Sequence, residues 1–106
     1  MDIQQRIAAF VEEVPVVLFM KGDRMFPQCG FSGKAIQILD ACEAEYETVN
    51  VLSEDEVRQG IKEFSNWPTV PQLYVAGQFV GGTDIMTELY ENGELKQVID
   101  AIQDSE

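Results

Sequence analysis

The chain carries two cysteines in different settings. Cys29 closes a loop and opens a helical pattern: from Gly30 onward the apolar residues Phe31, Ala35, Ile38, Leu39 and Cys42 recur at helical spacing. A cysteine at a helix start meets free backbone N–H groups and the positive end of the helix dipole. Both favour the thiolate, the nucleophilic and metal-binding form. Lys21 adds a positive charge if the intervening loop folds back. Ser32 stands where a C-x-x-C redox pair has its second thiol, and a hydroxyl forms no disulfide. Along an unbroken helix Cys42 lies about 20 Å from Cys29. A disulfide needs α-carbons within roughly 7 Å. Cys42 therefore reads as a small core-facing residue, and any second thiol must come from outside.

The charged residues narrow the chemistry further. With 19 acidic and 7 basic residues the formal net charge is −12. Such a field repels phosphate backbones and anionic lipid, so nucleic acid and membrane are not expected partners. The acidity reads as a solubility device rather than as a dedicated site for a basic partner. Lys21, Arg24 and Lys34 nevertheless flank the cysteine motif, with Arg58 and Lys62 further on, and this local cationic spot suits a small acidic ligand. There is no histidine, which removes the commonest general base and excludes a Cys-His hydrolase. Two cysteines are too few for a secreted disulfide framework, which fits a reducing compartment. The early apolar run 16–20 is short and has no basic leader. The expectation is a cytoplasmic protein with one domain over residues 1–106.

The elements that must hold these residues follow from periodicity. Ile3, Ile7, Phe10 and Val11 give an amphipathic helix over 2–12, ended by Pro15. Residues 16–20 are continuously apolar, as in a strand covered on both faces. A loop from Lys21 to Gln28 leads to the Cys29 helix. Residues 46–51 read as a second strand, and Ser53 with Glu56 as a capping box opening a helix through Val57, Ile61 and Phe64. Trp67-Pro68-Thr69-Val70-Pro71 stops that helix. Residues 73–75 and 78–80 flank Ala76-Gly77 as a hairpin. Thr83 can cap a short helix to about Glu91, stopped by Asn92-Gly93. Leu95, Val98, Ile99 and Ile102 stripe the last helix. The class is α/β: a small four-stranded mixed sheet with helices on both faces, in the order of a thioredoxin-like fold.

Four segments give a resemblance. Lys21-Gly22, Pro27-Gln28-Cys29-Gly30-Phe31-Ser32, Trp67-Pro68-Thr69-Val70-Pro71 and Gly81-Gly82-Thr83-Asp84 resemble, in order and spacing, the signature segments of the CGFS-type monothiol glutaredoxins. The resemblance covers nearly the whole chain. From the residues alone Pro71 is a trans turn proline; the resemblance implies a cis Val70–Pro71 bond that turns the Val70 backbone toward a ligand. Taken singly, each charge near the motif is equally a solvated surface group.

The resemblance implies glutathione as that ligand. Lys21 and Arg58 would hold its glycine carboxylate, with Lys62 as an assistant. Thr83 and Asp84 would meet the γ-glutamyl end, and Phe31 belongs to the same implied binding set. It also implies a [2Fe–2S] cluster. Such a cluster usually takes four thiolates, which Cys29 and one glutathione from each of two chains would supply in a cluster-bridged homodimer. A BolA-like protein and apo iron–sulfur proteins are implied partners. Many members of the family have cysteine or serine at the place of Thr83, so no spare thiol stands beside the site here. The loop Lys21-Gly22-Asp23-Arg24-Met25-Phe26 has the length of this class, longer than in dithiol relatives, which supports cluster carriage. The rival reading is a glutathione-dependent thiol-disulfide oxidoreductase that attacks mixed disulfides with Cys29.

Overall fold

The computed structural model describes residues 1–104. Helix α1 (Ile3–Glu13) starts at Asp2, whose carboxylate accepts the Gln5 N–H while the Gln5 side chain accepts the Asp2 N–H. This reciprocal capping box satisfies two donors that a helix start leaves open. Strand β1 (Val16–Met20) follows, then α2 (Gly30–Ala41), β2 (Glu47–Asn50) and α3 (Asp55–Ser65). The hairpin β3 (Gln72–Val75) and β4 (Gln78–Gly81) precedes α4 (Thr83–Glu91) and α5 (Glu94–Asp104).

The sheet order is β2-β1-β3-β4, with β1 parallel to β2 and antiparallel to β3. Strand β1 is thus paired on both edges and, as its unbroken apolar run requires, buried at every residue. Its side chains alternate between two cores. Val16, Leu18 and Met20 pack with Leu39 of α2, Cys42 at its C-cap, Met86 of α4 and Ile99 of α5. Val17 and Phe19 face the other way, onto Ile7 and Val11 of α1 and Ile61 of α3. Each fully buried Leu or Ile contributes roughly 1.5–3 kcal/mol relative to exposure, so the two layers fix the helices against the sheet. Ala76 and Gly77 both have positive φ, as a two-residue type I′ hairpin turn requires.

Four expectations are corrected. Ser53 and Glu56 form no capping box: Glu54 is the N-cap of α3 without a side-chain hydrogen bond, and the Ser53 hydroxyl donates to the Asn50 carbonyl at 2.9 Å. Asp55 and Glu56 in the first turn favour the helix dipole instead. Gly82, not Thr83, is the N-cap of α4. Val98 is 47% exposed; at 100° per residue it sits about 40° outside the arc shared by Leu95, Ile99 and Ile102. Phe31, in the first turn of α2, is 63% exposed and belongs to neither core.

Candidate functional site

The end of β1, the start of α2, the loop before β3 and the start of α4 meet in a cleft of about 400 Å³. Cys29 is the N-cap of α2 and half-buried there, with extended backbone angles and no side-chain capping hydrogen bond. Its pKa is held below the ordinary thiol value. The backbone N–H of Ser32 is the largest cause, against the opposing effect of desolvation. The Phe31 N–H, the Lys21 charge and the Ser32 hydroxyl follow in that order. The helix start therefore favours the anion that its sequence position implies. Cys42, fully buried among α2 and α5, has its pKa pushed up by desolvation.

Lys21, Phe31, Val70, Thr83 and Asp84 all line this cleft with Cys29. Arg58 does not: Lys62, one turn further along α3, lines it instead. Among the described residues neither Lys21 nor Lys62 has an ion-pair partner. Arg24 faces elsewhere, in an ion pair of 2.8 Å with Asp40 and 4.4 Å from the centre of the Tyr46 ring. Burial, and the hydrogen bond from the Tyr46 hydroxyl to the same carboxylate, push the Tyr46 pKa far up. Lys34, on α2, lines no part of the cleft. The cationic spot of the sequence thus resolves into two cleft lysines, with the remaining charges elsewhere.

The opposite wall is backbone. The Val70–Pro71 bond is cis, and the Val70 side chain is buried with the α1–α3 core, so Val70 offers the cleft its main chain. The first helical bond of α4 runs from Met86 N–H to the Gly82 carbonyl. The N–H groups of Thr83, Asp84 and Ile85 accordingly lack intrahelical partners and suit an anion. Lysines on one side, free amides and one carboxylate on the other, and a thiol between them can hold a small zwitterionic thiol compound. A larger concavity, about 640 Å³, lies between the end of α1 and the start of β2. Its polar side chains are Glu13, Glu45, Tyr46, Glu47 and Gln103, with no thiol and no basic group, so chemistry rather than volume identifies the site.

Residues 16–80 match the Glutaredoxin family model. An uncharacterized monothiol glutaredoxin, ycf64-like, of Synechocystis is 52% identical over 99 residues, covering 93% of this chain and 92% of the relative. The chain belongs to the monothiol glutaredoxin family. The mitochondrial monothiol glutaredoxin-5 of Schizosaccharomyces pombe is 52% identical over 102 residues, covering 93% of this chain and 70% of that one. The solution structure of reduced poplar apo GrxS14 has the same fold at a TM-score of 0.81 and 46% identity. The similarity covers 95% of this chain and 93% of that one.

Several residues that shape this glutaredoxin's site carry no sequence signal of their own. The Ser32 hydroxyl, noticed in the sequence only as a missing thiol, accepts the Lys21 N–H at 3.1 Å. Asn50, at the end of β2, accepts the N–H groups of Gly22 (3.0 Å) and Leu52 (2.9 Å). The Thr83 hydroxyl donates to the Phe31 carbonyl at 2.9 Å, tying α4 to the first turn of α2. Gln72 lies beneath the Trp67–Pro71 segment and donates to two of its carbonyls. The Ser32, Thr83 and Gly22–Asn50 contacts join different elements, Gln72 reaches back from β3 into the preceding loop, and no periodicity encodes them.

Proposed function

We propose that this monothiol glutaredoxin binds glutathione in the cleft and carries a [2Fe–2S] cluster as cargo, shared with a second copy of itself. The observation that carries the reading is a single thiolate-favouring cysteine, Cys29, beside a cleft whose charges complement glutathione. Lys21 and Lys62 would meet the glycine carboxylate, with Arg58 no nearer than the neighbouring turn. The Val70 main chain would pair with the cysteinyl unit, and Phe31 would cover the sulfur. The free amides at Thr83 and Asp84 would take the γ-glutamyl carboxylate, and the Asp84 carboxylate its ammonium.

The donor set suits a cluster only in part, which shapes the proposal. Among the described residues no group of three or more His, Cys, Asp or Glu side chains can hold a metal. Cys29 can give one thiolate, so three of the usual four must come from glutathione and from a partner chain. A cluster held partly by a small molecule is easily released, which suits delivery to apo iron–sulfur proteins, alone or with a BolA-like partner. The free, low-pKa Cys29 thiol supports placement in a reducing compartment such as the cytoplasm.

The lowered Cys29 pKa favours a second reading, thiol–disulfide exchange. Cys29 thiolate would attack the glutathione sulfur of a mixed disulfide and expel the target thiolate. A second glutathione thiolate would then attack the Cys29 adduct, releasing glutathione disulfide and restoring Cys29. The deciding experiment is reconstitution with iron, sulfide and glutathione, read by visible absorption and by sedimentation. Charge-transfer bands with a dimer support the first reading. A colourless monomer that turns over mixed disulfides rapidly supports the second.

A further inference from the structure

The described residues include three polar side chains classed as buried: Ser32, Gln72 and Thr83. Each fastens a different segment of the same cleft. Ser32 holds the end of β1 to α2, and Thr83 holds α4 to α2. Gln72, the first residue of β3 and wholly buried, lies under the third wall. Its Nε2 donates to the Thr69 carbonyl at 3.0 Å and to the Trp67 carbonyl at 3.3 Å. Its Oε1 accepts the Tyr74 hydroxyl at 3.1 Å.

A buried amide is costly unless its donors and acceptor are paired, and here both ends are. Two carbonyls facing inward require a group with two N–H donors on one atom. A primary amide has them; a carboxylate would repel both carbonyls and a hydroxyl could serve only one. The two carbonyls fix which end of the amide faces the loop, because a flipped amide would set its oxygen against both; the Tyr74 hydroxyl then satisfies the oxygen at the other end. Burial, which pushes the Tyr74 pKa up to about 12, keeps the hydroxyl a donor across the working pH range.

We propose that Gln72 is the positioning residue of the cleft. By anchoring the Trp67 and Thr69 carbonyls from below, it sets the Val70 main chain at the depth and angle that pairs with the ligand's peptide unit. Gln72 touches no ligand. It acts through the loop, with the Tyr74 hydroxyl as the partner of its oxygen. The inference rests on the glutathione-binding reading above, and it adds the determinant of affinity on the wall where Val70 offers its main chain. The ligand class follows: the loop edge suits a peptide bond, so a small thiol lacking one, such as cysteine or cysteamine, gains nothing from Gln72.

The test is calorimetric titration with S-methylglutathione, whose capped sulfur neither exchanges nor assembles a cluster. In Gln72→Leu, similar in length but without donors, affinity is expected to fall at least tenfold. The ultraviolet titration of the Cys29 thiolate should not move, because α2 is fastened independently by Ser32 and Thr83. Tyr74→Phe, which keeps the amide but frees its oxygen, is expected to lose about threefold and decides the matter if the leucine variant folds poorly. Binding by wild type with unchanged affinity in the variants overturns the inference alone. A Cys29 titration that shifts in step with affinity overturns it too, since the effect would then be general loosening. No binding by wild type overturns the glutathione reading, and this inference with it.

Discussion

The hydroxyl oxygen of Ser32 accepts the backbone N–H of Lys21 at 3.1 Å, joining the last turn of chain after β1 to the first turn of α2. The same hydroxyl acts on the Cys29 thiolate, lowering its pKa. One buried oxygen thus serves the scaffold and the reactive group together. Ser32→Ala leaves the Lys21 N–H without this partner, at a cost of about 1–3 kcal/mol. Thermal unfolding should show that loss. Cys29 should titrate slightly higher, and only slightly, because the Ser32 backbone N–H is the larger influence. A variant as stable as wild type, with an unmoved thiol, contradicts the double role.

Gly22 holds the loop in front of Cys29. Its φ is +87°, and a Cβ built there falls 2.5 Å from the Phe26 carbonyl oxygen and 2.6 Å from the Gln28 nitrogen. Both neighbours are backbone atoms, paired through an isolated bridge between Gly22 and Pro27, so neither can move cheaply. Gly22→Ala should therefore destabilise by more than the ~1 kcal/mol that a strain-free Gly→Ala change can add, and should expose Cys29 to faster alkylation at fixed pH. Unchanged alkylation and unchanged stability together would show that the loop tolerates another path.

The Cys29 shift has a sign that can be read in stability. A thiol whose folded pKa lies below its ordinary value of 9.0 adds stability that is fully present above that value and is lost as pH falls through the folded pKa. The stability advantage of wild type over Cys29→Ser should therefore widen as pH rises from about 6 toward about 9.5. Chemical denaturation at a series of pH values measures it. A constant or shrinking gap means that the thiolate is not favoured by the fold.

Much of this was legible in the sequence, for reasons that differ by residue. The run Val16–Met20 announces a doubly covered strand because helices on both sides of the sheet leave it no polar face. Cys29 is legible because a loop-to-helix junction is a local event. The Ser53–Glu56 capping box failed because Asn50 competes for the serine hydroxyl, a contact set by how β2 ends. Arg58 and Lys62 share a helix face, and their order of approach to the cleft depends on how α3 lies across the sheet. Asn50 accepts the Gly22 amide, brought near only by the closed sheet, and Gln72 reaches back from β3 to carbonyls of a preceding loop that has no regular periodicity. Pattern reading finds what a residue does to its own segment; these act on another.

Cys29→Ser and Cys42→Ser separate the reactive thiol from the packing one. Cys42 is wholly buried with a raised pKa, and its replacement trades a weakly polar sulfur for a hydroxyl in the α2–α5 core. About 1–3 kcal/mol of stability should go, with cluster assembly from iron, sulfide and glutathione retained. Cys29→Ser should keep stability near neutral pH and lose the cluster. Iron and sulfide content of both variants decides, and equal loss in the two would remove Cys29 from its role.

The last expectation separates carrier from reductase and turns again on Ser32. A dithiol enzyme expels glutathione from its own adduct intramolecularly, at high effective concentration. With Ser32 in place no internal thiol stands next to Cys29, and turnover waits for a second glutathione. Ser32→Cys puts a sulfur at a wholly buried position, next to the thiolate and in place of the oxygen that receives the Lys21 N–H. The new thiol can attack the Cys29–glutathione disulfide, forming a Cys29 bridge to position 32 and releasing glutathione thiolate. Mixed-disulfide reduction should then rise. Cluster delivery to an apo-ferredoxin should fall, because Cys29 in the bridge is no longer a ligand. Stability should drop as in Ser32→Ala, since sulfur accepts the Lys21 amide weakly. If wild type already matches a dithiol glutaredoxin in mixed-disulfide reduction and delivers no cluster, exchange is the function and carriage is not.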